Sequence, residues 1–351
     1  MKVSKIPGLG SYGVFVDGVD FNHITDEEWM EIGDLYIKNL VVIIRNTNLD
    51  YQDQQKWVRK FGGNRDIVRY DMAKRYNLNY DELWKKVREK DPNISEDDYY
   101  LLAAIDRVLE PTRSGSMMRV SGKKDEIGNP TGMFAEGDLL WHSNEAGTLA
   151  FTPGIALFAK EGVKGTSTGF VQTVDYYENV SESFRSELDD MIIHHRYLKG
   201  AINPGYIEEQ DRISKASQCP VDDIEIPLVI QSPGGIKGLH YSVNTVYSIK
   251  GMSKEDSDKV FAEINKNLFV EKYVYDHWYQ NEGDFLFFDN SITLHRRLGD
   301  TKQRLCYRVQ HDVTHLQEGF WQPYFQSKFQ EKYRILIEDF VKVLDIKDFK
   351  L

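Results

Sequence analysis

The sequence predicts an α+β fold in which helices flank a β core of the sandwich or jelly-roll kind. Three observations carry this. Beyond residue 150, short apolar segments at 154–159, 166–172, 226–231, 239–249, 284–288 and 305–313 alternate with Gly, Pro and Asn, as many short strands joined by turns do. Ahead of them the chain reads strand, helix, strand, helix. Two further apolar runs, 137–142 and 283–295, each end in a histidine where a strand should give way to a loop.

Taken in order, 13–20 alternates like a half-buried strand, and Thr25-Asp26-Glu27-Glu28 fits a capping box with Ile24 and Trp29 placed as a hydrophobic staple. The helix so started should reach about Lys38. Residues 40–44 form a continuous apolar run, the pattern of a strand buried on both faces, and Asp50 opens a second helix closed by Gly62-Gly63. From about 65 to 113 the texture turns helical and charged. This insertion reads as a solvated cap, an oligomer contact or a lid, and 115–132 reads as a flexible connection. Helices are expected at 183–194, which would end on His194 with His195 adjacent, and at 253–269; an amphipathic helical tail is expected at 322–351. One domain over 1–351 accommodates all of this.

With 351 residues, 41% hydrophobic, the chain can bury a full core. Its net charge of -11 is spread along the sequence, which argues against tight nucleic-acid binding through phosphates. No signal-like apolar core and no run of about 18 apolar residues occurs, so a cytoplasmic protein without membrane attachment is expected. Cys219 and Cys306 stand far apart and read as reduced thiols, Cys306 in the core.

The chemistry-bearing residues sit in the two histidine-ended runs. A strand end fixes the backbone while leaving an imidazole free to bind a metal, and two histidines with one oxygen ligand make the facial triad of non-haem Fe(II) oxygenases. His142 and His295 are the candidates, with Asn144 at the position where a carboxylate is usual. Arg304 and Arg308 fall in one apparent strand, so a period of two points both to one face, roughly 13 Å apart. Buried there, they match carboxylates bidentately, whether as structural ion pairs or as ligand anchors. His240, Tyr241 and Asn244 either line a cavity or pack in the core.

The residues together resemble the taurine dioxygenase family of Fe(II)/2-oxoglutarate-dependent oxygenases, related to the clavaminate-synthase-like enzymes. The resemblance runs from Gly13-x-x-Val16-x-Gly18-Val19-Asp20 through Phe61-Gly62, Trp141-His142-Ser143, Gly165-Thr166-Ser167-Thr168 and Val243-Asn244 to Gly283-Asp284, Asp289-Asn290, His295 and Arg304-x-x-x-Arg308. It implies a double-stranded β-helix, or jelly roll, with flanking helices. It further implies that His142 and His295 bind iron, and that Arg304 and Thr168 hold the distal carboxylate of 2-oxoglutarate. Arg308 matches a position that can contact a small anionic or zwitterionic substrate, and Asn244 is a second substrate-binding candidate. The reaction implied is hydroxylation of an unactivated C–H bond coupled to decarboxylation of 2-oxoglutarate to succinate.

Asn144 departs from the family, which has aspartate there. An amide is a weaker, neutral donor. It either binds through its carbonyl oxygen, or swings away and leaves the position to water or a halide such as chloride, as in related halogenases, or belongs to a binding homologue without turnover. Glu145 would need a local bulge to substitute. The oligomeric state, a homo-oligomer included, is left open by the sequence.

Overall fold

The computed structural model describes residues 1–62, 117–128, 131–132, 134–135, 137–144, 146, 152–195, 224–311, 313 and 315–316. The expected insertion at 65–113 and tail at 322–351, and with them Glu145 and Cys219, lie outside these residues.

The lead-in holds, with one strand more than expected. Strand β1 (Lys2–Lys5) pairs antiparallel with β2 (Val14–Asp17), and helix α1 (Asp26–Asn39) leads to β3 (Val41–Ile44). In α1 the Thr25 side chain accepts from the Glu28 amide while the Glu28 carboxylate accepts from the Thr25 amide, so the capping box is complete. Asp50 caps a short 3-10 turn that runs into α2 (Gln54–Val58).

The stretch 115–132 is not simply a connection. Its residues Met118–Ser121 form β4, because their backbone finds an open edge on the last strand of the core. Next come β5 (Leu139–His142), β6 (Gly154–Glu161), β7 (Thr166–Gln172), α3 (Val174–Asn179) and α4 (Glu182–Asp190). The helix expected to reach His194 stops at Asp190. Met191 turns extended, and β8 (Ile192–His195) pairs with β9 (Ile224–Pro227). His194 and His195 therefore alternate on a strand, with His195 buried.

The expected strands at 226–231 and 239–249 are likewise divided. The buried Leu228 separates β9, which ends at Pro227, from β10 (Val229–Gln231), and the turn at 242–245 separates β11 (Lys237–Leu239) from β12 (Val246–Ile249). Asn244 therefore sits in a turn. The chain ends its described part with α5 (Lys254–Leu268), capped by Ser253, then β13 (Val274–Trp278), β14 (Phe285–Asp289), β15 (Thr293–Gly299) and β16 (Leu305–His311).

The result is a mixed α+β architecture with several antiparallel sheets. The largest runs β1-β2-β3-β14-β6-β16-β4, antiparallel except for β2 and β3, and a second runs β13-β7-β15-β5. Alternation divides the large sheet cleanly. Val42, Ile44, Phe285, Phe287, Tyr307 and Val309 face α1 and α2, where Trp29 stacks on Phe61 at 4.9 Å. Val41, Ile43, Leu157, Leu286, Phe288 and Cys306 face the other way, packing with Phe170 of the second sheet. Each such buried side chain stabilises the fold by about 1.5–3 kcal/mol. The outer face of the second sheet, with Trp141, Val171 and Leu294, is covered by Ile264 and Leu268 of α5. No helix among the described residues is long and apolar enough to cross a membrane.

Candidate active site

The space between the two sheets is not fully filled. A cavity of about 420 Å³, counted with its open mouth, is lined among others by His142, Asn144, Thr168, His295, Arg304 and Arg308. Six residues singled out in the sequence thus meet in one place. Asn244, like His240 and Tyr241, is not among the lining residues; it accepts a hydrogen bond from Ser242 Oγ at 2.6 Å.

The two histidines meet because their strands pair. His142 is the last residue of β5, as expected, whereas His295 is the third residue of β15 and not a strand end. They are direct cross-strand partners with ring centroids 4.1 Å apart. His142 Nδ1 lies 2.6 Å from the Leu140 carbonyl, which can only accept, so the hydrogen sits on Nδ1 and the lone pair on Nε2. Burial, with the charges of Arg308 and Arg297 behind it, pushes the His142 pKa down to about 4. His295 is held well below its ordinary value by burial and then by His142 and Arg308; its Nδ1 has no hydrogen-bond partner among the described residues. Both rings are neutral at pH 7, the form in which imidazole binds metals.

Arg308 in β16 and Arg304 just ahead of it reach the cavity from the same side, since the even-numbered positions 304, 306 and 308 point inward. Arg304 is 2% exposed. Its Nη2 donates to Thr168 Oγ1 at 3.2 Å and its Nε to Cys306 Sγ at 3.3 Å, while Nη1 has no partner among the described residues. Thr168 also shares a 2.7 Å hydrogen bond with the Tyr279 hydroxyl. Arg308 donates from Nη1 to Asn144 Oδ1 at 3.0 Å and from Nη2 to Gln310 Oε1 at 3.1 Å.

Reasoning from the sequence missed Tyr279, Gln310 and Arg297. Arg297 is two residues beyond His295 and on the same face, a spacing that would have identified it; it donates to the Phe134 and Gly137 carbonyls and so ties down the loop before β5. The Gly283-Asp284 motif works in the scaffold. Asp284 accepts from the Asn46 amide at 2.8 Å and pairs with His277 at 2.7 Å. A Cβ at Gly283, whose φ is +90°, would come within 2.6 Å of the Thr47 carbonyl oxygen.

The sequence profile described as Taurine catabolism dioxygenase TauD, TfdA family matches residues 3–310. The chain belongs to this family. No curated protein matches the sequence. Among solved structures, AAD-2 in complex with Mn(II) and N-oxalylglycine is similar with a TM-score of 0.60 at 16% identity, over 89% of this chain and 97% of that one. A taurine dioxygenase from Burkholderia xenovorans is similar with a TM-score of 0.60 at 16% identity, over 88% of this chain and 89% of that one. At such identities the likeness is one of fold.

TauD/TfdA proteins are Fe(II)/2-oxoglutarate-dependent dioxygenases, and the residues here fit that pair of ligands on three counts. Two neutral imidazoles face each other with a lone pair fixed on His142 Nε2. A buried arginine keeps one donor without an acceptor among the described residues. The cavity between them is lined, among the described residues, by no carboxylate that would compete for either. The fit is incomplete on the fourth count, because Asn144 is neutral. Among the described residues no group of three or more His, Cys, Asp or Glu could hold a metal.

Proposed function

We propose that the chain is an Fe(II)/2-oxoglutarate-dependent dioxygenase that hydroxylates an unactivated C–H bond of a small molecule and converts 2-oxoglutarate to succinate and carbon dioxide. The observation that carries this reading is Arg304. A guanidinium buried this deeply without a carboxylate among the described residues is costly, and a dicarboxylate co-substrate supplies the missing charge. In this reading His142 and His295 hold the metal, and Arg304 with Thr168 holds the distal carboxylate. Bound there, Fe(II) supplies the oxygen activation that couples the two half-reactions.

The chain's own part is positioning. The Leu140 carbonyl fixes the His142 tautomer, the paired strands fix the spacing of the two rings, and the apolar inner faces exclude water. Arg308 is the cation that an anionic or zwitterionic substrate would meet in the same cavity. The two sheets facing each other across it support a double-stranded β-helix, within one domain over 1–351 that carries the 65–113 insertion and the 322–351 tail as additions.

One observation favours a second reading. With Asn144 Oδ1 engaged by Arg308, a ligand position is left to solvent or to chloride, as a radical halogenase would need. A homologue that binds without turnover is the third reading.

Anaerobic addition of Fe(II) and 2-oxoglutarate to the metal-free protein separates the three. A visible charge-transfer band insensitive to chloride supports hydroxylation, and a band that chloride perturbs supports halogenation. No band at saturating ligand would leave only the binding homologue. Arg304→Ala should weaken 2-oxoglutarate binding to the Mn(II)-loaded protein about a hundredfold, roughly 3 kcal/mol, by calorimetry. Unchanged affinity would remove Arg304 from the co-substrate site.

A further inference from the structure

We propose that Arg308 acts as a latch that keeps Asn144 off the metal, so that a metal in this site is held by His142 and His295 and takes its third ligand from solution. The proposal rests on the metal-site reading above and says which residue at that site enforces the vacancy.

The geometry is a closed ring of hydrogen bonds. Arg308 Nη1 donates to Asn144 Oδ1 at 3.0 Å, and Arg308 Nη2 to Gln310 Oε1 at 3.1 Å. Gln310 Nε2 donates to Thr152 Oγ1 at 3.2 Å. Asn290 then closes the ring: its Nδ2 donates to the carbonyls of Thr152 and Asn144, both at 2.9 Å, and its Oδ1 accepts from the Asn144 amide at 2.8 Å. All five side chains are buried.

Each link limits what Asn144 can do. Asn290 holds its main chain at both the N–H and the C=O, so Asn144 can reach a new partner only by rotating its side chain. Arginine has donors and no acceptor, so the amide oxygen must face Arg308 and the NH₂ must face away. Buried Nδ2 has no partner among the described residues, and an NH₂ group cannot ligate a metal. Turning the oxygen toward the metal would break a charge-assisted bond in a water-poor site.

In an Asn144→Asp variant the new carboxylate would stand at hydrogen-bond distance from the Arg308 guanidinium, which would compete with the metal for it. Asparagine satisfies the arginine without adding a charge. Arg308 is thus a positioning residue for the ligand set.

Thermodynamic coupling tests this. Co(II) affinity is measured by titration calorimetry on the metal-free protein, Asn144→Asp, Arg308→Gln and the double variant. With a latch, Asn144→Asp alone gains less than about threefold, and the double variant gains about 10–100-fold, well beyond the product of the two single gains. A double variant equal to that product overturns the latch. Should Arg308→Gln fail to fold, Gln310→Glu takes its place, since a carboxylate there draws Arg308 away while keeping it paired; the same coupling is expected with Asn144→Asp, and its absence is equally decisive. His142→Ala separates the two levels. Loss of Co(II) binding in it upholds the metal site, whereas unchanged binding removes that site and the latch together.

Discussion

Thr168 holds two partners on one hydroxyl, Arg304 and Tyr279, and so fixes the guanidinium that the co-substrate would meet. Thr168→Val keeps the shape and removes both bonds, leaving buried donors unsatisfied at a cost of about 1–3 kcal/mol. The expected outcome is a rise in the KM for 2-oxoglutarate of about tenfold with kcat within about twofold; a steady-state titration in which KM does not move would detach Thr168 from the co-substrate. At this scale much was legible. The period-two reading of 304–308 places both arginines on the inner face, and the resemblance picks out His142, His295 and Thr168 from the sequence. Two things were not legible. Tyr279 comes from just beyond β13, 111 residues away, and carries no local signal. The direction of the Asn144 amide is set by Arg308, so it belongs to tertiary contact and not to the motif around it.

At the scale of elements, local chemistry was readable where it was self-contained. The Thr25-x-x-Glu28 box and the Ser253 cap start α1 and α5 where expected, because the cap satisfies amides within its own turn. Thr25→Ala should cost about 1 kcal/mol of stability in denaturant unfolding; a loss indistinguishable from zero would mean that tertiary packing alone fixes the start of α1. Strands whose identity depends on a distant partner were misread. Ile192-Ile193 suits helix or strand equally, and pairing with Ile226 decides for the strand. Met118–Ser121 looked like part of a connection, and the open edge of β16 makes it β4. The histidine of β15 shows the same limit: the apolar run stopped being informative at Asn290-Ser291, where Asp289 accepts from the amides of Ser291 and Ile292, both at 2.8 Å, and turns the chain into a new strand.

For the molecule as a whole, buried ionisable groups set the response to acid. His142 and His240 are pushed down to about 4, and His195 and His295 are held well below the ordinary range, burial being the largest cause in each. The unfolded chain takes up these protons below pH of about 6.5 while the folded protein refuses them, so stability is lost as pH falls, by roughly 1.4 kcal/mol per pH unit for each ring. Asp289 works the other way. Burial raises its pKa to about 7, so the folded form keeps a proton that the unfolded chain has released, and stability is gained as pH falls from 7 toward 4. Four groups outweigh one. The Tm of the metal-free protein should therefore drop between pH 6.5 and 4.5; a level or rising Tm across that window would mean that these imidazoles are not buried as neutral rings.

The order of strands in the large sheet also has a consequence for synthesis. Residues 41–44 lie against residues 285–288, so β3 waits on the ribosome for about 240 further residues, between roughly ten and fifty seconds at ordinary elongation rates. Throughout that interval the nascent chain carries an all-apolar strand with one bare edge, the kind of surface that another chain can extend. Chains stopped before residue 285 should therefore aggregate or occupy chaperones, however well α1 and its capping box have formed, since only the arrival of β14 covers that edge.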